Sequence, residues 1–310
     1  MSETVLTAKV KAPSAAPVTP RESLLKQQLG DFVTSPGAIL GLAILTVVVA
    51  LALFAPYIAP QNPYDLEQLD IMDNMLPPGS MLGSGHTAWL GTDDQGRDML
   101  SAIIYGLRIS LGVGTVSVLI ASIIGASVGV AAAYFGKRVD TIIMRIVDLQ
   151  LSFPSILVAL VLLSAFGRGV DKVILALVIV QWAYYARTVR GSALVEKSKD
   201  YIAAASCLEL PRRRILFRHL LPNCIPPLIV VSTVQIAHAI ALESTLSFLG
   251  VGVPVTEPSL GMLIATGYDF LLSGNYWIST FPGLALVVVI VAVNLVGDRL
   301  RVVLNPRLTR

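Results

Sequence analysis

Charge is what this chain of 310 residues has least of. Asp, Glu, Lys and Arg together make up 14% of it, against about 25% in ordinary soluble domains. Hydrophobic residues account for 55%, which points to lipid as the surrounding solvent. The formal net charge of +3 is too small to indicate a nucleic-acid partner. Cysteine is nearly absent: Cys207 and Cys224 are too few for a disulfide scaffold and lack metal-ligand spacing, so they read as two inert thiols. There is no G-x-x-x-x-G-K-S/T, so the chain carries no phosphate-cradling loop and is not itself a P-loop ATPase. There is no H-E-x-x-H, and His86, His219 and His238 fall in three separate segments. With no convergent set of acid, base or nucleophile, the expectation is neither a catalytic residue nor a metal site, and not an enzyme. Residues 1–36 lack the short apolar core and small-residue cleavage site of a signal peptide.

What is present is long apolar segments. A bilayer core of ~30 Å requires about 20 apolar residues in a helix. Stretches 37–55, 109–136, 149–167, 224–242 and 276–297 meet that length. A sixth, 173–188, reaches it when Lys172 and Arg187 extend their charged heads to the interface. The expected fold is therefore all-α and polytopic, with six transmembrane helices within residues 37–308. Before them, Leu24, Leu25, Leu29, Phe32 and Val33 form one face of a possible amphipathic helix lying on the membrane surface. Ser117, Ala121, Gly125, Gly129 and Ala133 recur every four residues in the second span. Small residues at that spacing let helix backbones approach where lipid supplies no hydrophobic drive. Pro154, Pro226, Pro227 and Pro282 stand where they can bend helices.

The basic residues are sorted by side. Nineteen of the 23 Lys and Arg lie in the N-terminal tail, in 137–148, in 187–223 and after residue 298. Arg97, Arg108, Arg168 and Lys172 fall on the other side, and the 56–108 segment carries seven acidic residues. The positive-inside rule makes the first set cytoplasmic, with both termini.

The basic segment Arg187–Asn223 is patterned. Asp200 is placed as an N-cap, and Tyr201, Ala205 and Leu208 are placed on one helical face. Pro211 is suited to open a second helix. Such a pair of short helices is either a knob that seats in a partner's groove or an anchor that orients the neighbouring spans. Likewise, composition leaves open a self-contained channel or scaffold whose basic loop only sets topology.

The segment resembles the EAA loop of ABC-importer permeases, with Ala203-Ala204-Ala205 at the E-A-A positions, Glu209 at the glycine position, and Leu221-Pro222 at the closing L-P. Other stretches are similar to the dipeptide/oligopeptide/nickel permeases. They include Leu90-Gly-Thr-Asp-Asp-Gln-Gly-Arg-Asp-Met-Leu100, Leu151-Ser-Phe-Pro154, Leu246-Ser-Phe-Leu-Gly-Val-Gly252 and Phe281-Pro-Gly283. The likeness runs collinearly over about 35–308 and is to the second permease subunit of such systems, with a type I importer fold. It implies a bacterial inner-membrane importer subunit for peptides or related small solutes. The implied partners are a homologous second permease, two cytoplasmic ATPases that hold ATP and magnesium, and an extracytoplasmic binding protein, with no cofactor on this chain. It also implies an ATPase-coupling role for Asp200, Tyr201, Ala203, Ala204, Ala205, Glu209, Arg212, Arg218, His219, Leu221 and Pro222. Gln181, His238, Glu243 at the outer end of the fifth span, and Asn294 are the polar candidates for the pathway, since polar groups at membrane depth are functional by default.

This topology has a direct check. In a chain whose own cysteines are replaced by serine, Asn62→Cys should react with an impermeant thiol reagent from outside intact cells, and Ser198→Cys should not. Outside labelling at position 198 would overturn the six-span arrangement.

Overall fold

The computed structural model describes residues 30–304. Its principal helices are α1 (Pro36–Leu53), α2 (Met99–Phe135), α3 (Lys137–Ser152), α4 (Ser155–Phe166), α5 (Val170–Lys197), α6 (Asp200–Cys207), α7 (Ile225–Phe248), α8 (Leu260–Tyr268) and α9 (Trp277–Leu304). The strands among the described residues are one pair, Ser80–Met81 against Thr87–Ala88, in the loop after α1. Helices α1, α2, α5, α7 and α9 are long and apolar enough to cross a membrane, and α3 with α4 makes a sixth crossing if that bent pair is one span. Of the expected surface helix, Leu24, Leu25 and Leu29 lie outside the described residues. Phe32 and Val33 are in a helical turn tied to α9, because Arg299 donates to the Asp31 carbonyl and, at 2.7 Å, to the Thr34 hydroxyl.

Two of the expected spans need correction. The second begins at Met99, ten residues before position 109, and has 37 residues. At 1.5 Å per residue α2 is about 55 Å long, well beyond a ~30 Å core, so its first turns belong to the segment that joins α1 to α2. The third, 149–167, is not one helix. The chain bends by 90° between α3 and α4, at Phe153 and Pro154, because proline has no N–H to continue the ladder and pushes the preceding residue out of the helical region. Phe153 accordingly sits at φ −92, ψ 141. The twelve residues of α4 span only about 18 Å. The charged stretch 137–148, expected as a loop, is instead most of α3, which is amphipathic. Arg190 grips Asp140 with two hydrogen bonds of 2.5 and 2.6 Å, and Arg187 pairs with Asp148, so α3 is clamped along α5.

The small-residue stripe on α2 meets α5, and this is the most extensive helix contact in the chain. A Cβ at Gly125 would lie 2.4 Å from the Trp182 carbonyl oxygen, and one at Gly129 would lie 2.5 Å from that of Ala186. Ser117, Ala121 and Ala133 are buried beside them. Only glycine permits this separation of backbones.

Outside the membrane helices, the segment 90–100 folds onto the start of α2. Asp93 and Arg97 form a buried ion pair at 2.6 Å, and Asp93 Oδ1 also accepts from the N–H groups of Gln95 and Arg97. The Thr92 hydroxyl donates to the Asp73 carbonyl and accepts from Leu76 N–H, while Trp277 of α9 donates to the Thr92 carbonyl at 3.1 Å. Asp98 caps α2 by accepting from Ser101 N–H at 2.8 Å, satisfying one of the free N–H groups of the first turn.

Gly129→Leu should therefore force α2 from α5 and lower stability by about 1–3 kcal/mol, read as a fall in the melting temperature of the detergent-solubilised protein. Gly112→Ala, whose added Cβ meets no atom within 4 Å, is the control and should be close to neutral.

Candidate functional site

Between α5 and α7 the chain builds a compact knob. Ser198 ends α5, and Lys199, with extended backbone (φ −83, ψ 148), occupies the cap position of α6. Asp200 is the first residue inside the helix and makes no side-chain capping bond. The expected aspartate cap is thus displaced by one residue, and Asp200 acts only as a negative charge in the first turn, where the helix dipole favours it. At the other end, Leu210 N–H donates to Ala205 carbonyl (3.2 Å) and Glu209 N–H to Ser206 carbonyl (3.0 Å), with Glu209 left-handed at φ +52. That is the Schellman helix stop, normally given to glycine. Glu209 thus stands at the turn position that its alignment with the family glycine implied. No ion pair among the described residues joins it to Arg212 or Arg213.

Pro211, at φ −59 and ψ 136, is the residue before the next helix and not its first. Residues 212–223 are helical throughout, with a π-helical centre at Ile215–Leu220. Ile202, Ala205, Ile215, Leu220 and Cys224 pack together with Ala126, Val130 and Ala133 of α2 and Val189 and Ala193 of α5. The expected shared face of Tyr201, Ala205 and Leu208 is split: Ala205 points inward, while Leu208 is 74% exposed. Ala203, Ala204, Leu208 and Phe217 are exposed, as are Arg212, Arg213, Arg214 and Arg218.

The knob is held to the membrane helices by polar bonds as well. Lys197 donates to the Ala133 and Tyr134 carbonyls at 3.0 and 2.7 Å, satisfying the free end of α2. Tyr201 donates to Glu196 at 2.8 Å and accepts from Asn223, which also binds the His219 carbonyl. Burial and then that Glu196 contact push the Tyr201 phenol up to about 12, so it remains a donor. Leu221 and Pro222 run directly into Cys224 and α7.

The four polar pathway candidates divide into two pairs. Gln181 and Glu243 are wholly buried. Glu243 is not at the end of its helix, which continues to Phe248. Its carboxyl accepts from Ser247 at 2.8 Å, Ser110 at 3.0 Å and Ser244 at 3.3 Å, linking α7 to α2. His238 and Asn294 are exposed on α7 and α9, and no hydrogen bond between helices holds His238.

The family model described as a binding-protein-dependent transport system inner membrane component matches residues 121–310. The chain belongs to that family. This permease is a multi-pass protein of the inner membrane, and residues 23–78 also match the N-terminal TM domain of oligopeptide transport permease C. It is 37% identical over 308 residues to the dipeptide transport system permease protein DppC of Haemophilus influenzae, covering 99% of each chain. It is 39% identical over 309 residues to the protein of that name from Escherichia coli, again covering 99% of each. It is 36% identical over 298 residues to a di/tripeptide transport system permease of Pseudomonas aeruginosa, covering 96% of this chain and 97% of the other. In fold it is similar to a chain of the inward-facing MetNI methionine ABC transporter, with a TM-score of 0.54, 22% identity, and coverage of 66% of this chain and 97% of that one.

The sequence reading missed two contributors to the permease's knob, Glu196 and Lys197. Both lie in the last turn of α5 and act on residues 5 and 63–64 positions away. For Lys197 the available signal was a basic residue near a helix end, and nothing local marked Glu196.

Glu209→Gly should relieve the left-handed strain and raise stability by up to about 1 kcal/mol, measured as a higher melting temperature. Glu209→Val, β-branched at positive φ, should lower it. A destabilised glycine variant would refute the turn assignment.

Proposed function

We propose that this permease forms half of the pathway of a peptide importer. A homologous permease supplies the other half, two cytoplasmic ATPases seat on the 200–223 knob, and an extracytoplasmic binding protein delivers di- or oligopeptides to the side bearing the 56–98 segment. ATP and magnesium belong to the ATPases. In this reading residues 1–36 are a cytoplasmic tail, 37–308 are the membrane domain, and both termini are cytoplasmic, in line with the segregation of basic residues. The peptide class is supported by the relatives, which are named for dipeptide and di/tripeptide transport.

The observation that carries the coupling role is the division of the knob. One side, through Ile202, Ala205, Ile215 and Leu220, is fixed against α2 and α5. The other leaves Ala203, Ala204, Leu208 and Phe217 exposed, in the same short segment as the exposed Arg212, Arg213, Arg214 and Arg218. Protein interfaces combine apolar and charged side chains in this way, and an anchor that only set topology would need the charge but not the exposed apolar residues. Motion of an ATPase against this surface passes into α2 and α5 as rigid-body displacement, the kind of step that alternating access requires. Arg212, Arg218 and His219 flank the contact, while Asp200, Tyr201, Leu221 and Pro222 shape it. Of the pathway candidates, His238 and Asn294 face outward where a second permease can complete a channel, Glu243 ties α7 to α2 through Ser110, and the buried Gln181 amide has no hydrogen-bond partner among the described residues.

Ala204→Arg tests the proposal. Because Ala204 is exposed, the change leaves the permease's own packing intact, whereas an arginine at the buried Ala205 would not. The variant should insert normally yet lose uptake, with weaker ATPase association or uncoupled hydrolysis, since coupling energies are only ~1–3 kcal/mol. Uptake at the wild-type level would remove the coupling role and leave a topology anchor, which an added arginine merely reinforces.

A further inference from the structure

The membrane face of the chain contains a groove of about 560 Å³ between α1, α2, α7 and α9. Leu45, Val49, Leu111, Ile236 and Val293 line it, and Arg108 of α2 stands at its edge. Arg108 is exposed and, among the described residues, takes part in no ion pair or side-chain hydrogen bond. Its neighbour Tyr64 is close enough to feel its charge. Tyr57, just beyond the end of α1, and Tyr276, just before α9, are 87% and 55% exposed. Tyrosines at helix ends mark the headgroup level of a bilayer, and Arg108 lines the groove together with Leu53, the last residue of α1, so it lies near that end of the span while the groove runs along the apolar helices.

We propose that this groove binds a glycerophospholipid, with the phosphate on Arg108 and an acyl chain along Leu45, Val49 and Ile236. Guanidinium is well matched to phosphate, which it binds through paired hydrogen bonds. An isolated arginine at this depth is costly unless it reaches an anion or the interface. The apolar lining suits a hydrocarbon chain, and a Cβ at Gly112 in the groove would meet no atom within 4 Å. Position on the helices separates the groove from the proposed pathway. At 100° per residue, Thr233 and Ile236 of the groove lie on roughly the opposite side of α7 from His238. A second permease completing the channel at His238 therefore does not cover it.

The test uses the assembled importer, purified from cells and held in detergent with phosphatidylethanolamine and phosphatidylglycerol. Native mass spectrometry should find one phospholipid retained on the wild type under conditions that strip the remainder. Arg108→Gln should weaken its retention by about tenfold, as loss of a charge-assisted contact implies. Gly112→Phe, whose Cβ has open space on the groove side, should fill the groove and expel it. A benzophenone amino acid replacing Leu53, which lines the groove and is 67% exposed, should cross-link to lipid on irradiation in native membranes. Equal retention in the wild type and Arg108→Gln would overturn the proposal. So would a cross-link to the second permease's polypeptide in place of lipid, which would make the groove a subunit interface.

Discussion

Backbone contact between α2 and α5 at Gly125 and Gly129 is the constraint from which the other arrangements follow. In lipid, apolar side chains gain little by meeting one another, so association depends on close van der Waals contact and on polar bonds. The carbonyls of Trp182 and Ala186 leave no room for a side chain at either glycine, which fixes the register of the two longest packed helices. Once α5 is set, its arginines at 187 and 190 capture Asp148 and Asp140, and α3 is laid alongside. The bend at Phe153 and Pro154 then turns the chain through 90° into α4.

Seen along its length, α2 joins the segment that follows α1 to the knob. Its first turn is capped by Asp98 of that segment, and its last carbonyls are held by Lys197 beside the knob. A continuous helix of about 55 Å has a full ladder of internal hydrogen bonds, so a displacement at one end is carried to the other instead of being absorbed between them. The knob itself is less regular. The π-helical turn at Ile215–Leu220 places more backbone per turn than an α-helix, and such turns are concentrated at functional sites.

The sequence made the apolar helices legible because lipid exposure and apolar composition are nearly the same property. It misplaced their ends where the two diverge. Met99–Arg108 is helical but packs against the segment that follows α1, so its Tyr105, Ser101 and Arg108 do not resemble a span. The 137–148 stretch reads as a loop when its charges are counted without their period. Val139, Ile142, Ile143, Ile146 and Val147 follow the spacing of one helix face, and that signal was available. Glu209 was readable as a left-handed turn residue only through alignment with a glycine position; its own chemistry gives no such hint. The serine cage of Glu243 could not be seen, since Ser110 is 133 residues away and nothing local pairs the two. His238 and Asn294 were visible as polar residues in apolar helices, but whether they face inward or outward depends on neighbours that no single helix specifies.

The buried pair of Asp93 and Arg97 has a consequence for ionic strength. Salt screens exposed charges over a Debye length of ~8 Å at physiological concentration, but it reaches a buried pair only weakly. Both side chains are almost completely shielded, so this pair holds in dilute and concentrated salt alike. The arginines at 212, 213, 214 and 218 are exposed, where dissolved ions compete for them directly. The structure at the two ends of α2 therefore answers differently to the same change of medium: the Asp93–Arg97 pair is insulated from it and the arginines of the knob are not.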